Sequence, residues 1–104
     1  MTFTPDISTR IQTDFSENAA EAAKRLRNAI LQTDYLRTPR VIRCIVFLAK
    51  GNLAELDRFI ETAVYDPRDV MLWAEYEGAY ANGNLRRVRD FNNSFDAAHL
   101  VRDY

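Results

Sequence analysis

The chain has 104 residues, 47% hydrophobic and 28% charged, enough for one domain around a single modest core. Fourteen lysines and arginines against fifteen aspartates and glutamates leave a formal charge of -1, which argues against general attraction to nucleic acid or an anionic membrane. No apolar run nears the roughly 18 residues a spanning helix needs.

The N-terminal MTFTPDISTR lacks a basic region followed by an apolar stretch, so no secretory signal is expected. A single cysteine permits no internal disulfide and fits a reducing compartment, with the cytoplasm as default. Three glycines and three prolines are too few for the turns of an antiparallel sheet and favour helices.

Ile7, Ile11, Phe15, Ala19, Ala22, Ala23, Leu26 and Ile30 recur at spacings of three and four, the signature of one amphipathic face. The helix either runs unbroken from Asp6 to Gln32 or restarts at Ser16, whose hydroxyl is suited to capping. Thr38-Pro39 then reads as an N-cap followed by proline at the first helical position. Over Pro39 to Lys50, Val41, Ile42, Ile45, Val46, Leu48 and Ala49 fill a broad arc, with Arg40, Arg43, Lys50 and Phe47 on the remainder. An arc this wide predicts a central helix packed on two sides.

Gly51-Asn52 predicts a corner, glycine ending one helix and asparagine capping the next, with Glu55 placed for a reciprocal capping box. The following helix is expected to bury Leu53, Leu56, Phe59, Ile60, Ala63 and Val64. Asp66-Pro67 repeats the cap-then-proline signal, and the next helix carries Val70, Met71, Trp73, Ala74 and Tyr76 to about Glu77. Leu85 to Phe91 suggests a further helix capped by Asn84, and Asp96 to Tyr104 either a short final helix or a loose tail. The expected fold is all-α: four or five short antiparallel helices in an α-hairpin stack or irregular bundle.

AKGNLAELDRF (49–59) and ANGNLRRVRDF (81–91) align without a gap at a period of 32 residues. Such a period suggests stacked helical hairpins. Around the second copy, Trp73, Tyr80, Gly83 and Phe91 resemble a degenerate tetratricopeptide repeat, although Gly83 falls one residue early. The Arg40–Glu77 block, with Arg43-Cys44, Gly51, Asp69 before valine and Ala74-Glu75-Tyr76, resembles a family of short uncharacterised bacterial helical proteins. That resemblance implies a bacterial source and carries no activity.

Candidate chemistry is sparse. Arg40 and Arg43 lie one turn apart, and Asp69, Glu75 and Glu77 sit on the next helix but one. Bidentate guanidinium–carboxylate pairing makes Arg40, Arg43, Asp69 and Glu75 a candidate structural ion cluster. Solvated surface charge and an anion site on the two arginines are the alternatives. Cys44 has no histidine nearby in sequence and reads as a small core residue. His99, the single histidine, is the sole base for a Ser–His–Asp triad, and no metal-ligand spacing or phosphate loop is present.

Arg86, Arg87 and Arg89 beside Phe91 form a basic patch, diluted by Asp90, Asp96 and Asp103. Trp73, Tyr76 and Tyr80 step by three and four. With Phe47, which interrupts the arginine face, they form either core or an anchor surface for a partner. The expectation is therefore a protein-interaction module without cofactor that grips a helix or peptide, or pairs with itself. The competing classes are a small nucleic-acid adaptor and an enzyme with an unrecognised carboxylate site.

Overall fold

In a computed structural model that describes residues 3–78 and 86–100, the fold is all-α, with one two-residue strand pair. Helices α1 (Pro5–Phe15), α2 (Ala19–Gln32), α3 (Pro39–Ala49), α4 (Leu53–Tyr65) and α5 (Pro67–Glu75) follow one another through short corners. Tyr76–Glu77 (β1) pairs antiparallel with Arg86–Arg87 (β2), Tyr76 opposite Arg87 and Glu77 opposite Arg86.

The predicted apolar stripes form the core. Ile7, Ile11 and Phe15 of α1 meet Ala22, Leu26 and Ile30 of α2, and Leu56, Phe59 and Ala63 come from α4. Helix α3 packs against α1, α4 and α5, as its broad apolar arc requires, and buries every residue from Val41 to Val46. Burying each large side chain contributes roughly 1.5–3 kcal/mol, so these stripes fix the helices against one another.

The helix ends follow the capping signals in part. The Asn52 side chain accepts from the Glu55 N–H at 3.0 Å, and Asp66 accepts from Arg68 N–H at 3.0 Å. The Glu55 carboxylate turns to Arg58 instead of closing the capping box. At Thr38 it is the backbone carbonyl that receives Val41 and Ile42 N–H. The first amphipathic stretch breaks at Ser16, where φ is 49° and a short 3-10 turn, Ser16–Asn18, leads into α2. The helix thus restarts through the Ser16 turn, and the N-cap position of α2 falls on Asn18, whose side chain makes no cap hydrogen bond.

Four expectations are corrected. Val64 lies outside the buried arc and is 38% exposed. Tyr76 leaves the helix, because the chain turns extended to pair with β2. Arg86 to Phe91 is extended or irregular where a helix was expected, so the second copy of the sequence repeat does not form a second helical hairpin; positions 81–85 of that copy lie outside the described residues. After Phe91 the chain makes one 3-10 turn, Phe95–Ala97, and an isolated bridge joins Arg89 to His99.

Gly51 locks the α3–α4 corner onto the end of α1. Its φ is +76°, and a Cβ there would lie 2.1 Å from the Asp14 carbonyl oxygen. Gly78 has a similar φ of +69° but open space around it. Gly51→Ala is therefore expected to lower unfolding free energy in urea by about 3 kcal/mol or more, combining backbone strain with a backbone clash. Gly78→Ala, strain alone, is expected to cost about 1–2 kcal/mol.

Candidate functional site

Polar chemistry concentrates where residues 86–100 cross α1, α3 and α5. Arg40, from the first turn of α3, reaches Glu75 at the end of α5 with Nε 3.0 Å from Oε2, while its Nη2 donates to Oε1. Glu75 is fully buried. Its oxygens also accept from Arg87 Nη2 at 3.2 Å and from the Phe91 N–H at 2.8 Å. Its backbone carbonyl takes the Val88 and Arg89 N–H groups.

Arg43, one turn along α3 and also buried, faces a different carboxylate. It holds Asp6 of α1 through Nε at 2.8 Å and Nη2 at 3.1 Å, and its Nη1 donates to the Phe91 carbonyl at 3.0 Å. Asp6 accepts in addition from the Thr4 hydroxyl and the Phe95 N–H. Burial alone would raise the Asp6 carboxyl. The hydrogen bonds from Arg43, Thr4 and Phe95, with the Arg43 charge, outweigh it and hold the pKa at about 2.

The Phe91 peptide is thus bracketed, its N–H on Glu75 and its C=O on Arg43. The ring is 1% exposed and lies between Phe47 and Phe95, with centroids 5.4 Å from each. Arg89 stacks over Phe47 at 4.4 Å, donates to the Ala74 carbonyl and pairs with Glu77. Arg10 lies over Phe95 at 4.8 Å.

Of the sequence-predicted ion cluster, Arg40 pairs with Glu75, Arg43 holds Asp6 instead, and Asp69 joins neither. Six residues separate Asp69 from Glu75, which turns it about 120° away around α5 and leaves it exposed. Asp6 and Arg87 complete the cluster and were not foreseen. Asp6 carried only a helix-start signal, and its partner is 37 residues away. Of the expected basic patch, Arg87 and Arg89 spend their guanidinium groups on Glu75, Asp90, Glu77 and backbone carbonyls, while Arg86 stands opposite Glu77 in the strand pair.

Phe47 of the expected partner surface is half-buried under Arg89 and Phe91. Tyr76 is half-buried in β1, and Tyr80 lies outside the described residues. Trp73 is 47% exposed, its ring set edge-on to Phe59 with centroids 6.1 Å apart. Cys44 is enclosed in the core, where burial pushes its thiol up. His99 is exposed.

A surface cavity of about 420 Å³ lies between α1 and the Phe95 turn, lined by Thr9, Arg10, Thr13 and Asp96 among others. Among the described residues, no three His, Cys, Asp or Glu side chains are grouped to hold a metal ion, and no helix is long and apolar enough to cross a membrane. No protein-family model, curated protein or solved structure matches this chain.

Glu75→Ala removes the shared acceptor of Arg40, Arg87 and the Phe91 N–H, and is expected to cost about 3 kcal/mol or more of stability in thermal or urea unfolding. The depressed Asp6 pKa sets a sign for acid. Its contribution is fully present above the ordinary carboxylate range near pH 4 and is lost as pH falls through about 2. Asp6→Asn should therefore flatten the fall in stability across that interval, read as unfolding midpoint against pH.

Proposed function

We propose that this protein is a non-catalytic interaction module that grips a helix or peptide through the outer face of the α4–α5 hairpin, centred on Trp73. The observation that carries this reading is the placement of Trp73. Its inner edge packs on Phe59, while 47% of the side chain remains open beside Leu72, itself 40% exposed. A half-seated tryptophan is preorganised by its contact with the fold and still has a large apolar area to bury, the combination found at binding hot spots.

A second consideration supports it. The arginines that suggested nucleic-acid binding are turned onto Glu75, Glu77 and Asp90, so they offer little charge to a phosphate backbone. Of the carboxylates that suggested acid–base chemistry, Glu75 receives an arginine fork and a backbone N–H, Glu77 pairs with Arg89, and Asp69 lies exposed and apart from both. The occupant of the Trp73 face is another protein or a second copy of this chain, in a cytoplasmic setting. Kinship with the short bacterial proteins that share the Arg40–Glu77 block belongs to the same proposal.

Trp73→Ala on the surface is expected to leave the thermal midpoint within a few degrees of wild type. It should also abolish retention of specific proteins from a lysate of the source cells, or dimerisation in sedimentation. Identical captured proteins and identical sedimentation for the two forms would refute the reading. Trp73 is the sole tryptophan, so its emission reports the same contact directly.

A further inference from the structure

We propose that the face formed by α1, α3 and α5 beneath residues 86–100 is a peptide-binding groove that the chain fills with its own strap, and that the strap lifts away while the five helices stay folded. This goes beyond the Trp73 reading and concerns a different face of the molecule.

Three of the bonds that tie the strap down end on side chains of the helices. The Phe91 and Phe95 N–H groups go to the side chains of Glu75 and Asp6, and the Phe91 carbonyl goes to Arg43. Those are the contacts of a bound peptide with a receptor, here one that folds back on itself through Asp90 N–H on the Ala98 carbonyl and Leu100 N–H on the Val88 carbonyl. β2 adds to the edge of β1, and Phe91 is the one large fully buried side chain the strap brings.

The helices keep their own ion pairs when the strap leaves. Arg40 still has Glu75, and Arg43 still has Asp6, because both pairs join helix to helix. Lifting the strap therefore hydrates two intact ion pairs and strands no charge, the outcome that makes breaking buried pairs costly. Among the described residues, the strap supplies only Val88, Phe91 and Ala98 to the buried apolar set; the rest comes from residues 3–74. The helices keep their core, and such weakly tied units open below the global unfolding free energy.

The empty groove would present Phe47 flanked by Arg40 and Arg43, with Glu75, Glu77 and Asp6 as acceptors. Its natural occupant is a looped segment with a buried phenylalanine preceded by arginines, as Arg87 and Arg89 precede Phe91. A partner presenting that pattern displaces the strap in trans.

Hydrogen exchange on the full chain tests the first half. The amides of Val88, Phe91 and Phe95 are expected to exchange roughly tenfold or more faster than that of Ile45 in α3. Exchange in step with Ile45 would overturn the proposal. The second half uses the full-length Phe91→Ala protein and a synthetic peptide of residues 86–100. At about millimolar concentration, the range of a tethered strap, the peptide should raise the variant's thermal midpoint, and the same peptide carrying Phe91→Ala should not. No effect of either peptide, equal effects of both, or failure of the variant to fold cooperatively would each refute it.

Discussion

The structure turns on a carboxylate with no access to water. Taking Glu75 out of solvent costs several kcal/mol unless its oxygens are fully engaged. They receive two donors from Arg40, one from Arg87 and the Phe91 N–H. These donors come from three parts of the chain, so the residue at the end of α5 dictates where α3 begins and where the segment after β2 must pass. Apolar packing alone would tolerate several positions of that segment. A carboxylate that accepts in four directions tolerates one.

Two kinds of force hold the two halves of the chain. Helices α1 to α5 are joined by interdigitated apolar stripes and by corners with little freedom. Gly51 sits against the Asp14 carbonyl, and Asp66-Pro67 caps one helix while starting the next. Residues 86–100 carry few apolar groups and are held by hydrogen bonds to side chains of the helical half. The first kind of contact is cooperative, since removing one stripe loosens every neighbour. The second is modular, because each bond has a solvated substitute when it breaks.

That division explains what was legible in the sequence. The stripe from Ile7 to Ile30, the wide arc of α3 and the Asn52 and Asp66 caps are local patterns with local causes, and they predict the helices closely. The segment from Arg86 to Phe91 misleads because Gly-Asn-Leu and a following apolar residue mimic the start of α4. What decides its conformation is nonlocal: the Glu75 carbonyl takes Val88 and Arg89 N–H groups, and its carboxylate takes Phe91. The pairing of Arg40 with Glu75 was legible because a bidentate clamp between neighbouring helices is a recurrent solution. Asp69 carries the same charge and lies one turn from Trp73 on α5. Its angular position on α5, readable from a helical wheel, separates it from Glu75. Asp6 was invisible as a partner, since nothing local links an N-terminal cap region to an arginine in the middle of α3.

The same bookkeeping bears on function. Three arginines in four residues, beside a phenylalanine, look like a phosphate-binding surface when charge is counted along the chain. In space, Arg87 faces Glu75 and Asp90, and Arg89 lies on Phe47 with its donors on Ala74 and Glu77. A guanidinium so placed is a structural fastener, and its charge is balanced before any ligand arrives. The charge of Arg87 and Arg89, which the sequence presents as surplus, is here consumed internally. That shifts the weight of the proposed function from the arginines to Trp73, which packs one edge on Phe59 and leaves the other exposed. Recognition there depends on shape and burial, so its affinity should vary little with salt, unlike that of an arginine surface.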